Sequence, residues 1–72
     1  MKYAILLEPQ PEGGFTVTVP DLPGCISQGE TLDECRLNIA DAIEGWIETA
    51  LSHKMPIPKP SMRFDEVEVK AS

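Results

Sequence analysis

Positive charge is what this chain has least of. Six lysines and arginines stand against twelve aspartates and glutamates, a formal net charge of −6, and the pI is near 4.5. That balance excludes nucleic-acid binding through a phosphate-neutralising basic face. It favours a basic partner, because an acidic surface steers cationic surfaces toward itself. Cysteine is also scarce: Cys25 and Cys35 cannot build the dense disulfide framework of a secreted mini-protein. They read as two small buried or half-buried thiols rather than a disulfide or metal pair. With His53 the one histidine, a third metal ligand or a catalytic base is hard to assemble. No apolar run approaches the roughly 20 residues of a membrane span, and residues 1–8 are too short for a signal-peptide core. No membrane association and a cytoplasmic location are the expectations.

What remains is an ordinary globular composition, 42% hydrophobic and 25% charged. Seventy-two residues make one domain, 1–72, at the small end of what folds alone, where association supplies burial that one core lacks.

Periodicity then gives the element order. Lys2–Glu8 is a short apolar run with the length of a strand, Tyr3, Ile5 and Leu7 facing one way and Ala4 and Leu6 the other. The loop PQPEGG turns the chain back as a hairpin. Phe15–Val19 alternates strictly, Phe15, Val17 and Val19 against Thr16 and Thr18. Pro20-Asp21-Leu22-Pro23-Gly24 forms a corner, and a brief strand at Cys25–Gln28 follows. Thr31 with Glu34 three residues later is a capping box, and Asp33 and Glu34 complement the dipole of the helix it opens. That helix runs from Leu32 to about His53, with Leu32, Cys35, Ile39, Ile43, Trp46 and Ala50 as its core stripe. Pro56, Pro58 and Pro60 impose an extended linker, and Phe64–Lys70 alternates again as an edge strand. The fold class is therefore α+β, β-β-β-α-β, an antiparallel sheet with one helix packed on one face.

Chemistry-bearing constellations are missing. Asp41, Glu44 and Glu48 recur at helical spacing on a wet face, while Asp33 and Glu34 serve the helix start. Cys25 has no Lys, Arg or His beside it in sequence to lower its pKa, and Gly13-Gly14 opens a strand rather than a phosphate-cradling helix. No catalytic, metal or cofactor site is expected. Apolar surplus carries more. Leu37, Ala40, Ile47 and Leu51 flank the core stripe by roughly 60–140°, so one sheet cannot cover both. The proline linker, through Met55, Ile57 and Met62, is one candidate cover for Ile47 and Leu51. The other is a partner or second copy held through Ala4, Leu6, Leu37, Ala40, Ile47 and Leu51.

EGGFTVTVPDLPGC, the SQGETLDE that leads into the helix, and the proline-broken IPKPS after it are together more specific than a turn and a helix. On these segments, from about Tyr3 to Val69, the chain resembles the HicB family of antitoxins, in particular their small N-terminal domain. The resemblance implies a partial ribonuclease-H-like fold without catalysis. It also implies a partner, HicA, a small basic ribonuclease of double-stranded-RNA-binding type that HicB covers. Many members carry a C-terminal helix-turn-helix or ribbon-helix-helix domain that binds the operator. Here the sequence ends at Ser72 soon after its last strand, so direct DNA binding is not expected. On charge alone, the toxin-facing candidates are Glu8, Glu12, Asp21, Glu66 and Glu68. The expected function is antitoxin of a type II toxin–antitoxin system, as a homo-oligomer, dimer or tetramer. The alternative is an orphan oligomeric interaction module without a toxin. A residual nuclease, dependent on a divalent metal and on Asp21, ranks third.

Overall fold

The computed structural model describes residues 1–70. Three short strands, β1 (Leu6–Pro9), β2 (Phe15–Thr18) and β3 (Ile26–Gly29), form an antiparallel sheet in the order β1-β2-β3, and one helix, α1 (Leu32–Ser52), follows. The α+β order of three strands and then a helix is as expected, with β1 and β2 shorter and β3 displaced by one residue from Cys25–Gln28.

The hairpin loop closes through Gly13 N–H donating to the Gln10 carbonyl at 3.0 Å and Gln10 N–H to the Gly14 carbonyl at 3.0 Å. Gly13 and Gly14 both have positive φ, 105° and 75°, a region L side chains resist. Register then pairs Pro9 with Phe15 and Leu6 with Thr18. Beyond Thr18 the ladder with β1 stops: Val19 N–H faces the β3 side, donating to the Cys25 carbonyl at 3.1 Å, and the next position facing β1 is Pro20, which has no N–H to give. Residues 2–5 consequently have no strand opposite them, which is why β1 begins at Leu6 and not at Lys2.

The corner is two consecutive turns, Leu22 N–H to the Val19 carbonyl at 3.1 Å and Cys25 N–H to the Leu22 carbonyl at 3.0 Å. It drives Leu22 into the interior, where it is fully buried with Val17 and Cys35; Val19, Cys25 and Ile39 complete that cluster. Tyr3, Ile5, Leu7, Phe15, Ala42, Ile43 and Trp46 pack around it half-buried.

Helix α1 starts as its sequence dictates: the Thr31 hydroxyl accepts the Glu34 N–H at 3.1 Å. It ends with Lys54 at φ 55°, Met55 N–H donating to the Ala50 carbonyl at 2.8 Å and Lys54 N–H to the Leu51 carbonyl at 3.1 Å. This is a Schellman closure with lysine in the position glycine usually takes. The helix packs on β3 and β2 rather than on β1. Asn38 Nδ2 donates to the Gln28 carbonyl at 2.7 Å and Trp46 Nε1 to the Pro23 carbonyl at 2.9 Å, tying helix to sheet and corner. Gly29 is needed for close approach, since a Cβ there would sit 2.8 Å from Cys35 N. Leu32, expected in the core stripe, is 44% exposed: it is the first helical residue and lies beyond the sheet's cover.

The strand expected at Phe64–Lys70 is not part of the sheet in the single chain. Residues 61–70 are all exposed and carry no strand, because a strand exists only through a partner's backbone groups and neither sheet edge lies against them.

Candidate protein-binding surfaces

The five acidic candidates fall on separate parts of the surface. Glu8 lies exposed on β1, in a polar cross-strand row with Thr16 and Gln28. Glu12 projects from the hairpin turn, and Glu66 and Glu68 lie exposed in the 64–70 segment. Asp21 already has partners within the chain. Its Oδ1 accepts the Ser61 hydroxyl at 2.6 Å, and its Oδ2 accepts the N–H groups of Ser61 at 3.0 Å and Met62 at 3.3 Å. The Ser61 hydroxyl foremost, then the Ser61 N–H, hold this carboxyl below its ordinary pKa by stabilising the charged form. Together with Tyr3 OH donating to the Pro58 carbonyl at 2.6 Å, this clasp docks the linker on the body.

Two acidic residues were missed on sequence grounds. Between the hairpin turn and the start of α1 is a cleft of about 420 Å³ whose lining includes Glu12, Glu30 and Glu34 with Gln10, Gln28 and Asn38. The lining contains no cationic side chain. Glu34 had a sufficient role in the capping box and Glu30 none; the fold that brings the Gly13–Gly14 turn beside the helix start is what unites them with Glu12. They do not make a metal centre: among the described residues, no group of three or more His, Cys, Asp or Glu side chains is placed to hold an ion. What the arrangement offers is a recess of negative charge open to cationic side chains.

The apolar candidates lie on two faces, not one. Ala4 and Leu6 alternate with the inward Tyr3, Ile5 and Leu7, so they point away from the helix. Leu6, Thr18 and Ile26 form a row across that outer sheet face, with Leu6 48% and Ile26 58% exposed. Leu37, Ala40, Ile47 and Leu51 follow a stripe roughly 120° around the helix from the core residues, at 100° per residue. Leu37 is 71% and Leu51 62% exposed, and Ile47 is half-buried. The linker does not cover Leu51, since Met55 and Met62 stay exposed themselves and only Ile57 among the three is half-buried. A separate apolar groove of about 430 Å³ opens beside Trp46, bounded by Pro23, Ala42 and Met55, where Gly45 leaves room.

Both cysteines are buried and free. Burial pushes the Cys25 thiol pKa up. Cys35 Sγ faces the Gly29 carbonyl at 3.7 Å. No helix of the described residues is long and apolar enough to cross a membrane.

Residues 3–70 match the family described as HicB_like antitoxin of bacterial toxin-antitoxin system. The chain belongs to that family. A UPF0150 protein of Thermoplasma acidophilum is 38% identical over 71 residues, spanning 99% of this chain and all of that protein. The antitoxin HicB of Escherichia coli is 36% identical over 61 residues, 85% of this chain and 44% of the antitoxin. This HicB-like chain thus matches under half of the Escherichia coli protein's length. Among solved structures, a chain of the HicA3 and HicB3 toxin-antitoxin complex superposes with a TM-score of 0.73 at 30% identity, over 88% of this chain and 72% of that one. The similarity extends to the three-strand-and-helix architecture described above.

Proposed function

We propose that this chain is the antitoxin of a type II toxin–antitoxin pair, a non-catalytic protein that binds a small basic HicA-like ribonuclease and blocks its RNA-binding surface. The observation that carries this reading is the likeness, over most of the chain, to a protein of a solved toxin–antitoxin complex. The charge supports it independently. A chain of net charge −6 with carboxylates around one recess presents negative charge where RNA would present phosphates. In this reading Glu12, Glu30 and Glu34 receive cationic side chains of the toxin, and Glu8 on β1 adds negative charge outside the recess; Asp21 serves the fold. The 1–72 unit acts as one domain. It works in the cytoplasm as a homo-oligomer. The two apolar surfaces, Leu6 on the outer sheet face with the half-buried Ala4 before it, and Leu37, Ala40, Leu51 and the half-buried Ile47 on the helix, favour self-association, and two separate surfaces suit a tetramer built from dimers.

Titration with a small basic HicA-like ribonuclease tests the proposal. A stoichiometric complex and loss of RNA cleavage are expected. Absence of binding at micromolar concentration in low salt overturns the antitoxin reading and leaves an orphan interaction module.

A further inference from the structure

Residues 64–70, FDEVEVK, have the pattern of a strand and no strand partner. Phe64 is 69%, Val67 83% and Val69 78% exposed, and among the described residues 63–70 none makes a backbone–backbone hydrogen bond. The segment stands off the body. The Cα radius of gyration is 14.5 Å and the longest extent 53 Å, against about 11 Å expected for a compact chain of this length and roughly 31 Å for the whole of α1. The Asp21 clasp at Ser61 and Met62 fixes where it departs.

The same chain has one sheet edge suited to receive a strand. On β3, helix side chains already attend the backbone, with Asn38 donating to the Gln28 carbonyl and Cys35 Sγ facing that of Gly29. β1 pairs only with β2 and has no helix above it, so Ile5 and Leu7 stay half-exposed at the margin of the core. We infer that residues 64–70 of one copy add as a fourth strand to the β1 edge of a second copy, reciprocally, in a two-fold dimer.

Side-chain parity fits that occupant. With Val67 and Val69 turned to the inner face they extend the layer of Ile5 and Leu7, with Asp65 on that face at the strand's open end, and Phe64 then falls on the outer face that Leu6 occupies, with Glu66 and Glu68 in water. Donor strand and acceptor edge occur once each per chain, so a two-fold pair satisfies both and leaves neither over. A different protein as occupant would leave the donor unused. The inference rests on self-association but not on the presence of a toxin.

Sedimentation equilibrium and amide hydrogen exchange of the full chain test it, alone and as Val67→Pro, which removes a ladder donor. Val67 lies outside the body, so Trp46 fluorescence should report an unchanged fold. A dimer is expected whose 65–70 and 6–8 amides become protected together as concentration rises, with both dimer and protection lost in the variant. A dimer that survives Val67→Pro with those amides unprotected overturns strand exchange and leaves self-association through another surface. A monomer with residues 65–70 protected shows the segment folded on its own β1 edge, and a monomer with them unprotected shows no strand at all; either overturns both readings.

Discussion

Leu22 has the largest side chain among the fully buried residues, yet it belongs to a turn and not to a strand or helix. Pro20, Pro23 and Gly24 mark the corner in the sequence, and a turn residue is ordinarily read as surface. The two stacked turns invert that expectation by directing the side chain between Val17 and Cys35 in the core cluster. In so small a core its truncation leaves a void that few neighbours are available to fill. Leu22→Ala is expected to destabilise by about 2–5 kcal/mol, which urea denaturation measures as a lower midpoint at unchanged slope. Single residues were legible where local chemistry decides them, as at Thr31 with its capping bond. They were not legible where distant parts of the chain converge. Glu30 and Glu34 join Glu12 only because the hairpin turn folds against the helix start, and Asp21 meets Ser61 across 40 positions.

Elements fared differently according to what sustains them. Helix α1 needs only its own backbone and an apolar stripe, so its expected limits, Leu32 to about His53, differ from the observed Leu32–Ser52 by one residue. A strand needs a neighbour, and the alternation of a single segment says nothing about how far that neighbour extends. Residues 2–5 have no ladder to join because Pro20 offers no N–H on the β1 side, and 64–70 carry no strand in the single chain. The linker between helix and 64–70 is held by the Asp21 clasp, and its pH response follows from the lowered carboxyl pKa. The clasp contributes fully above the ordinary aspartate range, about 3.9 in an unfolded chain, and is lost as pH falls through the lower native value. The Ser61 and Met62 amide resonances should therefore hold from neutral pH to about pH 4 and shift toward unfolded values below it. Asp21→Asn should displace them already at neutral pH.

For the molecule as a whole, charge and shape work at different ranges. The net charge of −6 acts at a distance, over about 10 Å in 0.1 M salt, while the recess lined by Glu12, Glu30 and Glu34 acts at contact. Association with a basic ribonuclease should therefore slow by about tenfold or more between low and high salt. Glu12→Gln with Glu30→Gln should flatten that dependence without disturbing the fold, since both side chains are exposed; stopped-flow association rates across a salt series check both. The overall α+β plan was readable because helix and hairpin signals are local and sum to one architecture. The elongated outline was not, because it depends on a segment that finds no partner within one copy.

The indole bond from Trp46 to the Pro23 carbonyl has a practical side. This is the chain's one tryptophan, and it is stationed where the corner that carries Leu22 meets the second half of the helix. Its emission, excited at wavelengths Tyr3 does not absorb, is thus a label-free gauge of that junction, reporting in real time whether Leu22 is seated in the core.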